Sequence, residues 1–368
     1  MNIIISGGGT GGHIYPALAI AKEIKKRYKE KVNIYYVGTP NGMEKELAKR
    51  EGYEYRQVRV MGMPRNLSRE SIKSAKELLI GLNDSRKIIN ELNPKLIIAT
   101  GGYVCFPISY VGNLKKIPVC IHEQNAFPGI TNKILSRYAS KVFITFDESK
   151  KYFKHPERTI LTGNPIREEL FLVDKKAAYK AFDLNSDKPI ILSFGGSGGQ
   201  NSLNEAILTY IQSISECNDV QLIHITGKSH YEGFKEALEK KGVDLKENIK
   251  IFPYLHDLPK VLNIATLVIA SAGAITLAEI SALGIPSILI PKAYTAENHQ
   301  EYNAQVFEDA GASVVIKEKD LNGEVLAKTI NELISDKRRL MEMSNNTKKL
   351  MNTNATEIIV DELNQYLR

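Results

Sequence analysis

The chain opens with NIIISGGGTGGHIYPALAIAKEI, a glycine-rich run that ends in a histidine. Gly7, Gly9 and Gly12 have the G-x-G-x-x-G spacing of a dinucleotide-binding loop, between an apolar strand pattern and an amphipathic helix pattern. A strand, a glycine turn and a helix start make an anion site, because outward N–H groups and the helix dipole favour negative charge. A nicotinamide enzyme also needs an acid ending its second strand to hold the ribose. Here that strand, VNIYYVG, ends Val37-Gly38-Thr39, so the fingerprint is incomplete. His13 stands where the helix begins. The dipole there favours a neutral imidazole, which suits it to take a proton from a hydroxyl. The plainer alternative is a histidine that only caps the turn.

Further polar clusters fall where apolar strands end, the place where α/β sheets hold ligands. Gly101, Gly102 and Tyr103 follow KLIIAT, and His122, Glu123, Gln124 and Asn125 lie at the end of PVCIHEQN. Later in the chain, Ser197 sits in a second glycine turn, GGSGGQN. SAGAITLAE (271–279) places small residues at a helix start with Glu279 in its first turns, where a carboxylate would at least satisfy the dipole. No D-x-D occurs, so an acidic metal clamp on a diphosphate is not indicated; positive helix ends would offset the charge instead. Cys105, Cys120 and Cys217 are scattered without ligand spacing, which argues for a reducing compartment and against a zinc or disulfide framework.

Parallel sheets buried on both faces must carry these loops. Runs rich in β-branched residues (NIIIS, VNIYYVG, KLIIATG, PVCIHE, KVFITF, then PIILSFGG, VQLIHITG, IKIFPY, TLVIAS, PSILIP) alternate with helical patterns of period near 3.6. The plan restarts: PIILSFGGSGGQNSLNEAILTYI (189–211) repeats strand, glycine turn and helix as in residues 2–24. The expected fold is α/β, two doubly wound Rossmann-like domains in series, joined near TGNPIREEL (162–170). NATEIIVDELNQYLR closes the chain as an amphipathic helix. Neither a signal peptide nor a membrane span is legible; the longest apolar stretch carries Glu279 and is broken by Gly273, Gly284 and Pro286. Charge is uneven. Residues 1–166 hold 27 Lys and Arg against 14 Asp and Glu, a net +13, whereas residues 167–368 hold 22 against 28, a net −6. The first half therefore suits an anionic partner, a membrane surface or nucleic acid.

In order, GGTGGHIYPALAIA, ATGGYVCFP, HEQNAFPGITNK, TGNPIR, GGSGGQNSLNE, GAITLAEISALGIPSILIP and ENHQEYNA resemble the MurG family of peptidoglycan N-acetylglucosaminyltransferases, over nearly the whole chain. The resemblance implies a GT-B glycosyltransferase of two facing doubly wound domains: residues 1–165 with 352–368 on the acceptor and membrane side, residues 166–351 for the nucleotide sugar. It implies inverting transfer of GlcNAc from UDP-GlcNAc to the 4-hydroxyl of the muramoyl sugar of lipid I, giving lipid II and UDP with no cofactor or metal. It also implies a peripheral place on the cytoplasmic face of an anionic membrane, and cell-wall synthesis or division proteins as possible partners. By resemblance His13 is the general base, and Tyr103, Asn125 and Glu279 complete the catalytic set. Thr10, Gly11, Gly12, Asn125, Arg167, Ser197, Leu255, the run Ala274, Ile275, Thr276, Leu277, Ala278 and Glu279, and Gln300 would bind UDP-GlcNAc. Within that set Leu255 would hold uracil through its backbone, Glu279 the ribose and Gln300 the sugar hydroxyls. Asn132 and Asn204 match other polar family positions. Two departures concern the nucleotide: Ser271 stands where members often carry arginine, and GGSGGQ lacks the usual GA ending.

Residues 61–82 mix Leu67, Ile72, Leu78, Leu79 and Leu82 with Arg65, Arg69, Lys73 and Lys76, the pattern of a basic amphipathic segment at an anionic interface. The alternative is a surface helix whose apolar stripe packs inward. For the whole chain, one rival keeps the fold and changes the acceptor to a diacylglycerol-type lipid. Another is a UDP-GlcNAc 2-epimerase. A third is a non-enzymatic basic scaffold, but no helix-turn-helix, zinc or RNA-recognition signature accompanies the charge, so no nucleic-acid partner is expected.

Overall fold

The computed structural model describes the chain except residues 63, 65, 67, 68, 215–218, 244 and 368. It begins β1 (Asn2–Ser6), α1 (Gly11–Tyr28), β2 (Asn33–Gly38), α2 (Met43–Arg50), β3 (Glu54–Gln57) and α3 (Arg69–Leu92). Next come β4 (Leu96–Ala99), α4 (Cys105–Leu114), β5 (Val119–Glu123), α5 (Ile130–Leu135), β6 (Lys141–Ile144) and β7 (Thr159–Leu161). The second run is α6 (Lys175–Ala181), β8 (Ile190–Phe194), α7 (Asn201–Ile214), β9 (Gln221–Ile225), α8 (Tyr231–Lys240), β10 (Ile249–Phe252) and α9 (Leu258–Ile264). It continues through β11 (Leu267–Ala270), α10 (Ala274–Leu283), β12 (Ser287–Leu289), α11 (His299–Asp309), β13 (Ser313–Val315), α12 (Gly323–Ser335), α13 (Lys337–Lys349) and α14 (Ala355–Leu367).

These elements form two compact units: Met1–Ile166 with Asn352–Arg368, and Arg167–Met351. Unit one is built on a parallel sheet of order β3-β2-β1-β4-β5-β6-β7, unit two on a parallel sheet of order β10-β9-β8-β11-β12-β13. Both reverse direction between their first and fourth strands, the switch point beside which open α/β sheets bind ligands.

Continuous apolar strands follow from this layering. In β1, Ile3 and Ile5 enter one core with Ile14, Ile20 and Ile24 of α1, while Ile4 enters the opposite core with Ile97 and Ile108. A period of two leaves no polar face because both faces are covered. Ile359, Val360, Leu363 and Leu367 of α14 join the α1 core, so the C-terminal helix is packed into unit one. Lys141 meets Glu362, and Arg27 bridges to Asp361, along the same seam. In unit two the main core gathers Ile191, Leu203, Ile207, Leu222, Leu267 and Ile330.

Candidate functional site: two sets of strand-end loops

In unit one the loop after β1 and the loop after β4 lie side by side at the switch point. Thr10 caps α1 in an extended conformation, and Gly11 and Gly12 are the first helical residues. His13, half-buried in the first turn, donates from Nδ1 to the Gly8 carbonyl at 3.1 Å. A carbonyl can only accept, so this bond places the proton of a neutral ring on Nδ1 and makes Nε2 the basic nitrogen. The Thr100 hydroxyl donates to the His13 carbonyl at 2.6 Å, which ties the helix start to the neighbouring strand end. Gly101 explains the second glycine motif. Its φ is +116°, and a Cβ there would come within 2.7 Å of His13 Cδ2. Tyr103 is 40% exposed, beside Gly9.

The HEQN stretch is hydrogen-bonded into this loop pair. His122 is fully buried; Nε2 donates to the Gly163 carbonyl at 3.0 Å, and Nδ1 accepts from the Gln124 amide at 3.0 Å. Burial pushes its pKa down to about 4, with the nearby His13 working in the same direction against the Gly163 bond. The Gln124 amide also donates to the Thr100 carbonyl at 2.6 Å, so GGTGGH, ATGG, HEQN and TGNP share one hydrogen-bonded chain. The buried Glu123 carboxylate accepts from the Asn125 backbone at 2.9 Å, the Asn125 amide at 3.1 Å, the Gly129 backbone at 3.2 Å and the Asn132 amide at 2.8 Å. Burial raises this carboxyl, and those donors pull it back down. Asn125, half-buried, is thus aimed by Glu123, and Asn132 is a brace within the same loop.

In unit two the residues expected to meet the donor include Ser197 in the turn after β8, Ala274 to Glu279 in the first turns of α10 after β11, and Gln300 at the start of α11 after β12. Ser197 is exposed at the tip of the turn after β8. Gly199 must be glycine there, with φ +74° and a would-be Cβ 2.1 Å from the Thr226 carbonyl. Ser271 lies against this turn, its hydroxyl 3.4 Å from where a Gly196 Cβ would be. Ala274, Ile275, Thr276, Leu277 and Ala278 open α10, whose Gly273 cap provides no side-chain bond to the first N–H groups. Glu279 is the sixth residue of α10, buried at 2% exposure, and its partner is not the helix start but Arg167, whose Nε donates to it at 2.6 Å. Burial raises the Glu279 carboxyl; Arg167 lowers it. Two predicted contacts of the donor therefore hold each other. Gln300, also buried, accepts at 3.0 Å from the Lys292 backbone. Asn204 ties α7 to the Thr226 carbonyl at 3.1 Å, a packing role. Leu255 is half-buried just after the edge strand β10.

Three charged groups escaped the sequence reading. Glu44 is fully buried in α2, accepts from Thr39 N at 2.9 Å and Thr39 Oγ1 at 2.7 Å, and lies against Gly8 of the first loop. In unit two, Lys292 and Glu318 link loops far apart in the chain. Nothing in their spacing marks them; Glu44 in particular reads as an ordinary acid in a first helical turn.

The same architecture recurs in known proteins. The glycosyltransferase family 28 N-terminal domain matches residues 3–144, and the family 28 C-terminal domain matches residues 190–359. The chain is 47% identical over 365 residues to a UDP-N-acetylglucosamine–N-acetylmuramyl-(pentapeptide) pyrophosphoryl-undecaprenol N-acetylglucosamine transferase of Finegoldia magna, covering 99% of this chain and 97% of that one. A Thermoanaerobacter protein of the same name is 47% identical over 98% of each chain. A crystal structure of MurG from Acinetobacter baumannii superposes with a TM-score of 0.79 at 27% identity, over 99% of both chains. Taken with the two sheets and their strand-end loops, these likenesses make the chain a member of the MurG family of N-acetylglucosaminyltransferases.

Proposed function

We infer that the chain transfers GlcNAc from UDP-GlcNAc to the 4-hydroxyl of the muramoyl sugar of lipid I, giving lipid II and UDP with inversion at the anomeric carbon. The observation that carries this reading is the 47% identity, along 99% of the chain, to a relative named for that reaction. The chemistry of the site supports it. The acceptor oxygen forms its bond to the anomeric carbon as the bond to the UDP β-phosphate breaks; the hydroxyl proton passes to His13 Nε2, and the electron pair leaves with UDP. Charge growing on the diphosphate meets the N–H groups that open α10 and the turn around Ser197. Glu279 is the candidate ribose acceptor and shares its carboxylate with Arg167. Leu255 is assigned to uracil, Gln300 to the sugar hydroxyls, and Thr10, Gly11, Gly12, Tyr103 and Asn125 to the reacting end.

Unit one would take the lipid diphosphate at the cytoplasmic membrane face. Among the described residues no helix is long and apolar enough to cross a membrane. Instead α3 leaves Ile72 and Leu79 exposed at 74% and 69%, two turns apart, next to exposed Lys73 and Lys76. Leu78 and Leu82 are half-buried, while Leu67 and Arg65 lie outside the described residues. An exposed apolar pair with two lysines beside it suits anionic headgroups, although Glu77 lies near both lysines.

The test is UDP release from labelled UDP-GlcNAc with a short-chain lipid I analogue. One UDP per acceptor consumed is expected. Consumption with a diacylglycerol alone would move the acceptor assignment, and isomerised UDP-sugar without any acceptor would replace transfer by epimerisation.

A further inference from the structure

Three loops of unit two converge on Lys292, a residue outside the motifs that carry the nucleotide site. Lys292 follows β12, and its ammonium donates to the Gly199 carbonyl at 2.7 Å, across the intervening strand β11. Its backbone N–H donates to Gln300 Oε1 at 3.0 Å. The next residue, Ala293, donates its N–H at 2.7 Å to Glu318, in the turn after β13. Glu318 in turn accepts from the Gln200 amide at 2.8 Å and from the Ser202 hydroxyl. Gly199 and Gln200, where the glycine turn enters α7, are therefore both held from the β12 side. The loop that follows carries two successive non-glycine residues in the left-handed region, Glu297 at φ 56° and Asn298 at φ 53°. Such a loop keeps its shape only when its ends are fixed. Lys292 and Ala293 fix one end; Gln300, together with the Asn303 amide on the Ala272 carbonyl at 3.1 Å, fixes the other. Half-burial lowers the Lys292 ammonium below its usual range while Glu318 raises it.

On the reading of the donor site given above, we propose that Lys292 is a positioning residue for the nucleotide sugar. It latches the glycine turn to the loop that carries Gln300, so the diphosphate and sugar contacts are set together. The latch acts through Gly199 and Gln300 and does not itself grip the phosphates. UDP, which lacks the sugar, should feel its loss less than UDP-GlcNAc.

The experiment measures Kd for UDP and UDP-GlcNAc by calorimetry, and KM and kcat with the lipid I analogue, for the wild type, Lys292→Met, Lys292→Arg, Gln300→Ala and the Lys292→Met/Gln300→Ala double variant. Lys292→Met should weaken UDP-GlcNAc about tenfold or more, the scale of one charge-assisted hydrogen bond, and UDP clearly less. Lys292→Arg, which keeps a cation within reach of Gly199, should recover most of the loss. Gln300→Ala should cost little more once Lys292 is already Met, because coupled residues are not additive. Equal weakening of UDP and UDP-GlcNAc would overturn the latch in favour of direct phosphate binding. Additive single effects, an unchanged Kd for UDP-GlcNAc in Lys292→Met, or a loss in Lys292→Arg as large as in Lys292→Met would also overturn it. If the wild type itself failed to bind UDP-GlcNAc, the functional reading would fall and the latch with it.

Discussion

Among the bonds that fix His13, two serve different ends: Nδ1 on the Gly8 carbonyl sets the tautomer, and Thr100 on its own carbonyl sets the helix start. Removing the imidazole should therefore strip the base and leave the fold. His13→Ala is expected to lower kcat by about 10²–10⁴-fold. Its Kd for UDP-GlcNAc should stay close to wild type, since the donor residues of unit two are untouched; a comparable loss of binding would deny His13 the role of base. His122 gives a stability prediction with a definite sign. Its folded pKa of about 4 lies below the ordinary 6.5, so the fold favours the neutral ring. That contribution is complete above pH 6.5 and falls by up to about 1.4 kcal/mol per pH unit as acid approaches the folded value. Glu123 and Glu279, raised by burial, act in the opposite sense as they take up protons. The histidine's share is thus read as a difference. The gap in unfolding free energy between wild type and His122→Asn should be widest above pH 6.5 and shrink toward pH 4.5; a gap independent of pH would contradict the assignment. At this scale, residues in glycine-bounded motifs were legible because the chemistry and the backbone demand share one short segment. Lys292, Glu318 and Glu44 were not, because each gets its meaning from a partner elsewhere in the fold.

Helix α14 is the element whose role is most exposed to test. Its apolar face completes the core under α1, with Leu363 at 0% exposure. Leu363→Ala should destabilise unit one by about 2–5 kcal/mol, the range for a buried leucine cavity, seen as a lowered denaturant midpoint. A change below about 0.5 kcal/mol would mean that the helix is not integral to that core. Strands show which elements a sequence displays. The ten runs recognisable in the sequence are β1, β2, β4, β5, β6 and β8 to β12, mostly interior strands covered on both faces. Three strands were not recognised: β3 (EYRQ), β7 (TIL) and β13 (SVV). All three are sheet edges, short and only partly covered, so they lack the continuous apolar run that burial on both faces imposes. Cys105 and Cys120, read as unpaired, are free and buried, and burial pushes their thiols up to about 11 and about 12; Cys217 lies outside the described residues.

Across the whole molecule charge is uneven, with a net +13 in residues 1–166 and a net −6 in residues 167–368, so the basic half is the one suited to an anionic lipid surface. Membrane affinity should then depend on anionic lipid and salt. Vesicles containing phosphatidylglycerol should retain the protein at low ionic strength and release it as salt rises. Ile72→Ser/Leu79→Ser should weaken retention without altering UDP-GlcNAc binding, and equal retention on neutral vesicles would refute the electrostatic part of the proposal. The central claim is the identity of the bond formed. Its most direct measurement is the structure, by NMR and mass spectrometry, of the lipid product made from UDP-GlcNAc and a lipid I analogue. The account predicts a single added GlcNAc on the muramoyl 4-hydroxyl, inverted at its anomeric carbon relative to the donor. Retained configuration, attachment elsewhere, or UDP release with no disaccharide-lipid would contradict it.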